Sequence, residues 1–353
     1  MDTELLKLRE RVRLAREGRT PLRLHGAGTK GFYGECTAGE PLDVSAYRGI
    51  IAYEPSELVL RARCGTRLSE MEATLAEQGQ FLAFEPPRFG GGDPTLGGMI
   101  ATGLSGSRRL QVGAARDFVL GAGLLAADGE WLNFGGQVMK NVAGFDVARL
   151  LCGSLGILGI ITEVSLKVLP RPRVEETLRL QLRAGEAVEA FNRWAGRPLP
   201  ISAATWHDGA AWVRLSGAGP AVQAARREIG GERVPPELAQ HWWAGLQQYI
   251  HPAFSQPLVW RVSVPATAPP LPLPLEPLID WGGALRWYAG DMPDIDVRAL
   301  AVGVGGTALR WRGAGRGSRF HPLPPPLLEI HKRMKHSFDP QGIFNPGRLL
   351  AGL

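Results

Sequence analysis

The chain is expected to fold as an α+β protein of two domains. Three observations lead there. Its 353 residues exceed one ordinary domain. Two glycine-rich runs, residues 26–31 and 90–106, each follow a short strand pattern in the first half. Beyond residue 170 the pattern changes to strands alternating with helical segments.

Composition narrows the class. Hydrophobic residues make up 44% and charged residues 21%, the balance of a globular protein. No run of 18 apolar residues occurs, so no membrane span is expected. The first 18 residues carry charges throughout and lack an apolar signal core, so a cytoplasmic location is expected. Cys36, Cys64 and Cys152 lie far apart, which argues against a disulfide framework, a zinc ribbon or an iron–sulfur cluster. A net charge of +6 is mild and suits an anionic substrate, an acidic partner or a membrane surface. No dense Lys/Arg block with interleaved aromatics occurs, so nucleic acid is not an expected partner.

Residues 3–17 place Leu5, Leu8, Val12 and Ala15 at helical spacing, and Gly18 should end that helix. Residues 21–25 read as a strand, with His25 part of it. Gly26-Ala27-Gly28-Thr29-Lys30-Gly31 then matches G-x-G-x-x-G directly after a strand. A Rossmann fold needs a helix next, whose N-terminus receives the pyrophosphate. The chain continues FYGECTAGEP, with more glycines and no apolar period, so that fold is not expected. The same residues suit an anion nest, where successive N–H groups of a glycine turn converge on negative charge.

Residues 50–66 read as two strands around Glu54-Pro55-Ser56, 68–78 as a helix ended by Gly79, and 81–84 as a strand closed by Pro86-Pro87. The second glycine run is a loop, then an Asp93-Pro94 turn, then a helix start of small residues. Small side chains let a ligand touch backbone, and a helix start favours an anion. The alternative is a flexible loop. Residues 119–134 form two strands across Asp128-Gly129, a strong hairpin signal. Residues 140–170 carry Gly153, Gly156 and Gly159 at every third position, then a β-rich run from 160 to 169 that ends at Pro170. Spacing alone leaves two readings open: a bed for a large flat ligand, or a tight helix–strand connection inside a core.

Pro170-Arg171-Pro172 reads as a linker. A strand at 175–182, a helix at 185–194, a hairpin of 201–206 with 211–215 across Asp208-Gly209, and a helix at 220–229 suggest a ferredoxin-like module. A further helix spans 236–250, a strand 258–264, and a proline-rich extended surface connection 265–277. Strands at 279–288 and 307–312 flank a short helix from Pro293. The last helix spans 326–338. FDPQGIFNPGR, ending at Arg348, reads by itself as a proline-closed turn.

Four of these stretches, LLCGSLGILGIITEVSLKVLP, GAGTKG, PTLGGMIATGLSG and FDPQGIFNPGR, together resemble the vanillyl-alcohol-oxidase-type (PCMH-type) flavoproteins. The resemblance implies an FAD-binding domain over residues 1–170, a reduced ferredoxin-like cap over 171–320, and a segment from 321 to 353 that returns to the FAD site. It places the backbones of Gly26, Ala27, Gly28 and Thr29, with Lys30, on the diphosphate. Thr95, Gly97, Gly98, Ala101, Thr102 and Gly106 form the second nucleotide-binding segment. SRRLQVGAARDFVLG matches a family run that brings Arg109, Gly113 and Asp117 near the site, although Arg109 also reads as a plain surface arginine. Gly159, Ile160 and Ile161 lie along the nucleotide, and Asn345 and Arg348 stand at its rim. Gly98 and Gly159 are then positions where a Cβ would occupy cofactor space. Many relatives attach the flavin to a histidine after the last loop glycine. Thr29 stands there here, so non-covalent FAD is implied.

The small middle segment, with LVWRVSVP and IDWGGALRWY, further resembles the E-subunit family of bacterial glycolate oxidases. Such subunits bind flavin beside a larger FAD-binding subunit and an iron–sulfur subunit. The implied reaction oxidises glycolate, a small 2-hydroxy acid, to glyoxylate, and peripheral attachment to the inner face of the membrane through the complex stays open. Catalytic relatives carry H-x-G-D-G-N-x-H, where this chain reads AVGVGGTALRW. No catalytic base is therefore named, and an accessory electron-transfer role is expected. A self-sufficient FAD-dependent 2-hydroxy-acid dehydrogenase is the alternative. Trp242, Trp243, Trp281 and Trp287 offer apolar surface for a subunit contact, unless they belong to the core.

Overall fold

A computed structural model describes residues 2–136, 146–292, 294–315 and 317–353. The start of the glycine-bearing run, residues 140–145, and Pro293 lie outside the described residues. The chain divides into two compact units. One spans Met1–Leu104, Ala114–Pro170 and Pro322–Leu353, and the other Ser105–Gly113 and Arg171–His321.

In chain order the first stretch holds α1 (Thr3–Gly18), β1 (Leu22–His25), β2 (Glu40–Asp43), β3 (Ile50–Glu54), β4 (Val59–Arg63), α2 (Leu68–Glu77), β5 (Gln80–Phe81) and α3 (Leu96–Thr102). There follow α4 (Arg109–Val112), β6 (Val119–Leu125), β7 (Trp131–Gly135), α5 (Val147–Leu150), β8 (Ile160–Lys167) and β9 (Leu169–Pro170). The second unit continues with β10 (Val174–Gln181), α6 (Ala184–Ala195), β11 (Ile201–His207), β12 (Ala210–Gly217), α7 (Gly219–Ile229), β13 (Glu232–Arg233) and α8 (Pro236–Gln247). It ends with β14 (Val259–Ser263), β15 (Leu278–Asp280), β16 (Leu285–Ala289), α9 (Asp294–Gly303) and β17 (Thr307–Arg312), after which α10 (Pro325–Phe338) rejoins the first unit.

Helix α1 forms as its spacing predicts. The Asp2 carboxylate accepts the Glu4 N–H at 2.9 Å, an N-cap, and Leu5, Leu8, Val12 and Ala15 are buried. The helix includes Gly18 and is stopped one residue later by Arg19 in the left-handed region. Its apolar face packs on Leu22, Leu42, Ile160, Ile343 and Phe344. The tail is therefore part of this core. β1 pairs with β2 in parallel, and on its other side Leu22 bridges to Phe344, donating its N–H to the Ile343 carbonyl at 2.6 Å.

The larger sheet of the first unit is antiparallel, in the order β3-β4-β8-β6-β7. The β6–β7 hairpin turns at Asp128-Gly129, where Gly129 has φ +82°, a conformation glycine adopts without strain. Of the expected strand at 81–84 only Phe81 pairs, with Leu169, while Gln80 before it pairs with Pro170; Leu82, Ala83 and Phe84 instead bury their side chains in turn and irregular backbone.

The second unit is one eight-stranded sheet, β13-β10-β12-β11-β15-β16-β14-β17. Its first four strands with α6 and α7 realise the ferredoxin-like order. α6 and α7 bury Phe191, Trp194 and Val222 against Leu178, Trp206, Val213 and Leu215. The module is wider than expected because β15 adds beside β11 through Trp206 and Ile279. Two sequence expectations are corrected here. The proline-rich segment does not simply run over the surface. Ala268 and Leu271 are buried, and the carbonyls of Ala268 and Pro269 accept bonds from the buried Arg286 guanidinium. Trp243, Trp281 and Trp287 are core residues, not a contact surface; their rings are tied down by Thr177 Oγ1, the Gly106 carbonyl and packing on Tyr249 and Phe254. Trp242 is half-buried and stacks on Trp212.

Candidate functional site

β1 ends at His25, and the chain then turns through the first glycine loop. A cleft of about 130 Å³ opens beside that loop. Its walls are Leu24 to Gly31 and Tyr33, then Thr95, Gly98, Ala101 and Thr102 of the α3 start, Leu155 of the glycine-bearing turn, and Asn345 and Arg348 of the tail. Four segments far apart in sequence thus meet within one unit.

The loop lies tightly on the start of α3. A Cβ at Gly26 would stand 2.4 Å from Thr95 Oγ1, so only glycine permits this approach. Thr95 caps α3 by accepting the Gly98 N–H at 3.3 Å. Gly28 has φ +71°, and open space lies where its Cβ would point. At Gly98 a Cβ would meet the Thr95 hydroxyl at 3.3 Å, a tight contact with one side-chain atom.

Lys30 lines this cleft and is only 8% exposed. Its Nζ makes one long bond to Thr29 Oγ1, 3.4 Å, and lies 5.6 Å from the centre of the Phe89 ring. It has no carboxylate partner among the described residues. Burial lowers its pKa to about 8. A buried ammonium without a counter-charge is costly, and an anion in the cleft would relieve that cost.

The tail fastens the walls. Asn345 Nδ2 donates to the Leu155 carbonyl at 2.7 Å, while Asn345 Oδ1 accepts the Leu24 N–H at 2.8 Å. Arg348 donates to the carbonyls of Gly31, Tyr33 and Glu35 at 2.7–2.8 Å. Beneath them sits Lys335, 6% exposed, whose Nζ donates to Asp339 Oδ2 at 2.6 Å, Ile157 O at 2.7 Å and Phe344 O at 2.8 Å. Asp339 in turn accepts the N–H groups of Ile343 and Phe344. Sequence reasoning passed over Lys335 and Asp339, which look like ordinary helix-end charges, and also passed over Leu24, Gly31, Tyr33 and Leu155.

Other expected residues stand elsewhere. A Cβ at Gly97 would meet Cys64 Cβ at 3.0 Å, so this glycine serves packing on the end of β4. At Gly159 a Cβ would meet Leu124 Cδ1 and the Leu125 carbonyl at 2.8 Å. The neighbouring strand, and not free ligand space, demands that glycine. The Ile160 and Ile161 side chains are buried. Asp117 caps its own turn by accepting the Ala114 N–H. Gly106, Arg109 and Gly113 belong to the second unit, where Arg109 lies over Trp281 with its guanidinium 4.0 Å from the ring centre.

The histidines are less scattered than the sequence suggests. His207 and His251 meet edge-on with ring centres 5.1 Å apart, and burial holds His251 neutral, with a pKa of about 4. Its Nδ1 accepts the Ala253 N–H, so it works as a cap. A second concavity on the first unit's sheet is lined by Arg61, Asn133, Glu163 and Ser165. There Glu163 already accepts bonds from Tyr47 and Arg61, so no buried charge is left over.

The chain matches the model of the FAD binding domain over residues 4–135 and that of the FAD linked oxidases, C-terminal domain, over residues 291–349. It is 46% identical over 347 residues to the glycolate oxidase subunit GlcE of Escherichia coli (strain K12), covering 98% of this chain and 97% of that one. Over 164 residues it is 32% identical to the glycolate oxidase subunit GlcD of Bacillus subtilis (strain 168), which covers 46% of this chain and 34% of that protein. Its fold is similar to that of an alkyldihydroxyacetonephosphate synthase, with a TM-score of 0.66 at 15% identity, covering 96% of this chain and 74% of the other.

Proposed function

Since the chain belongs to the family of the glycolate oxidase subunit GlcE, we propose that it is the FAD-holding subunit of a glycolate oxidase complex, passing electrons while a companion chain deprotonates the substrate. It is an FAD-linked oxidoreductase of the 2-hydroxy-acid class. The observation that carries the cofactor assignment is Lys30, a buried ammonium with no carboxylate partner among the described residues, lining a cleft that the glycine loop walls. That donor set fits a diphosphate.

Lys30 and the loop N–H groups of residues 26–29 would hold the diphosphate, while Gly98 and Ala101 leave room beside α3. Asn345 and Arg348 spend their donors on loop carbonyls and so hold the cleft in shape. When bound, FAD supplies the two-electron acceptor that oxidation of a 2-hydroxy acid requires. Thr29 stands where a linking histidine would be, so attachment is non-covalent. The companions in this reading are a larger GlcD-like flavin subunit and an iron–sulfur subunit. Cys64 is buried and Cys152 has its thiol pushed up to about 12 by burial, so neither is a ready metal ligand. No helix among the described residues is long and apolar enough to cross a membrane. Any attachment to the inner face of the membrane would run through the complex.

Three measurements test this. Acid precipitation of the loaded protein should leave yellow flavin in the supernatant, and flavin on the pellet would count against non-covalent binding. Gly98→Val presses only on the Thr95 hydroxyl, at 3.3 Å, and should lose at least about tenfold in flavin affinity by filling the cleft, with circular dichroism checking that the fold is kept. Flavin-to-protein absorbance after gel filtration reads this. Gly159→Val cannot serve, because it disturbs β6 first. Finally, anaerobic stopped-flow mixing of the isolated FAD-loaded chain with glycolate should leave the flavin oxidised for minutes. Bleaching within seconds would favour the self-sufficient dehydrogenase.

A further inference from the structure

Lys30 is a potential nucleophile as well as a charge. Lys7 and Lys332 are exposed and paired with Glu4 and Glu329, at 2.7 and 2.8 Å. Lys335 is as buried as Lys30, but its Nζ is spent on Asp339 and two carbonyls. Lys30 Nζ has only the 3.4 Å bond to Thr29 Oγ1 and the Phe89 ring among the described residues. Burial brings its pKa from 10.5 to about 8. At pH 7 the free amine is then roughly 300-fold more abundant at Lys30 than at an ordinary lysine. A free, desolvated amine is the form of lysine that condenses with carbonyl compounds.

The cleft around it sets a second requirement. Residues 26–29 form the glycine turn beside Lys30, and no Asp or Glu side chain lines the space. Such a turn receives an anion. The volume of about 130 Å³ has room for a two-carbon acid. A small molecule that carries both an aldehyde and a carboxylate satisfies the amine and the turn together. Glyoxylate is such a molecule, and it is the product of the glycolate oxidase reaction proposed above, so the assignment rests on that reading.

We propose that Lys30 is a modification site: before FAD is loaded, its amine condenses with the aldehyde of glyoxylate, whose carboxylate takes the place of the diphosphate and blocks loading. The lone pair of Nζ attacks the aldehyde carbon, a C–N bond forms, and the carbonyl oxygen takes up a proton. Loss of that oxygen as water leaves an imine. Nothing is oxidised or reduced, and water is the only molecule released, so the adduct reverses when glyoxylate is removed. Chains already loaded are protected, because the diphosphate covers the amine. Accumulated product thus restrains the supply of new flavin-bearing chains without touching those at work.

The full-length apoprotein is treated with glyoxylate and cyanoborohydride at pH 7, and the lysines are mapped by peptide mass spectrometry. The reductant converts the imine to a stable carboxymethyl-lysine. Lys30 should be labelled at least about tenfold faster than Lys7, Lys167 or Lys332 of the same molecule, given its larger share of free amine. Saturating FAD should suppress that labelling, and acetaldehyde, which lacks the carboxylate, should label Lys30 more slowly than glyoxylate does. A second measurement follows FAD loading without reductant. Prior glyoxylate should slow loading of the unaltered apoprotein. Loading of Lys30→Arg, whatever its own affinity, should not respond to glyoxylate, because a guanidinium forms no such imine. Labelling of Lys30 no faster than of the exposed lysines, in a chain that still binds FAD, overturns the modification site and leaves the FAD reading standing. Fast labelling that saturating FAD does not suppress overturns the competition and, with it, the placing of Lys30 on the diphosphate.

Discussion

Replacing Lys30 by methionine is expected to weaken FAD binding roughly 10- to 100-fold, the worth of one charge-assisted bond of about 1.5–3 kcal/mol. The side chains are similar in length, so the cleft keeps its shape and loses its charge. Titration of apoprotein with FAD, followed by flavin fluorescence, reads the change. The pH dependence gives a second signature. Burial lowers the Lys30 pKa from the ordinary lysine range to about 8. Between pH 8 and the unfolded value near 10.5, the folded apoprotein binds fewer protons than the unfolded chain. Stability of the apoprotein through this group therefore rises with pH across that window, since the buried charge is being removed. FAD affinity should move the other way, falling as pH rises above about 8, because the diphosphate favours the protonated lysine. Both trends should vanish in Lys30→Met. Retention of the affinity trend in that variant would mean another group faces the diphosphate.

Lys335→Met should cost about 3–5 kcal/mol, because it leaves Asp339 buried without its cation. The loss goes beyond one ion pair. The same ammonium ties the carbonyls of Ile157 and Phe344, so the glycine-bearing turn and the tail lose a common anchor. Amides of Ile343 and Phe344 should exchange with solvent far faster, and urea should release flavin at a lower concentration. Hydrogen exchange over residues 339–348 checks this directly. Protection equal to that of the unaltered chain would show that the Asp339 turn stands by itself.

Much of this was legible in the residues, and what was not has a physical reason. The α1 spacing, the Asp128-Gly129 hairpin and the glycine loop with the α3 start all depend on local chemistry, and all were read. Gly97 and Gly159 were read as glycines that approach the cofactor, but a sequence does not say what presses against the missing Cβ. Cys64, just past the end of β4, and Leu124 of β6 do. Trp281 and Trp287 fell to core because β15 and β16 widen the sheet, a non-local pairing. Lys335 carried no signal at all. A lysine in a helix rich in lysine and arginine reads as solvated, and only the tertiary fold draws one of them inward.

The return of the tail also sets an order of manufacture. Leu22 and Leu24, near the start of the chain, are bonded to Ile343 and Asn345 near its end. At about 5–20 residues per second, the stretch from residue 170 to residue 348 takes a ribosome roughly 10–40 s to make. Through that interval the nascent first unit has its glycine loop but lacks the Ile343–Phe344 segment that completes its core and the arginine that pins the loop. Flavin loading therefore belongs after translation, and a half-made chain offers an open β1 edge to chaperones, or to other unfinished copies of itself.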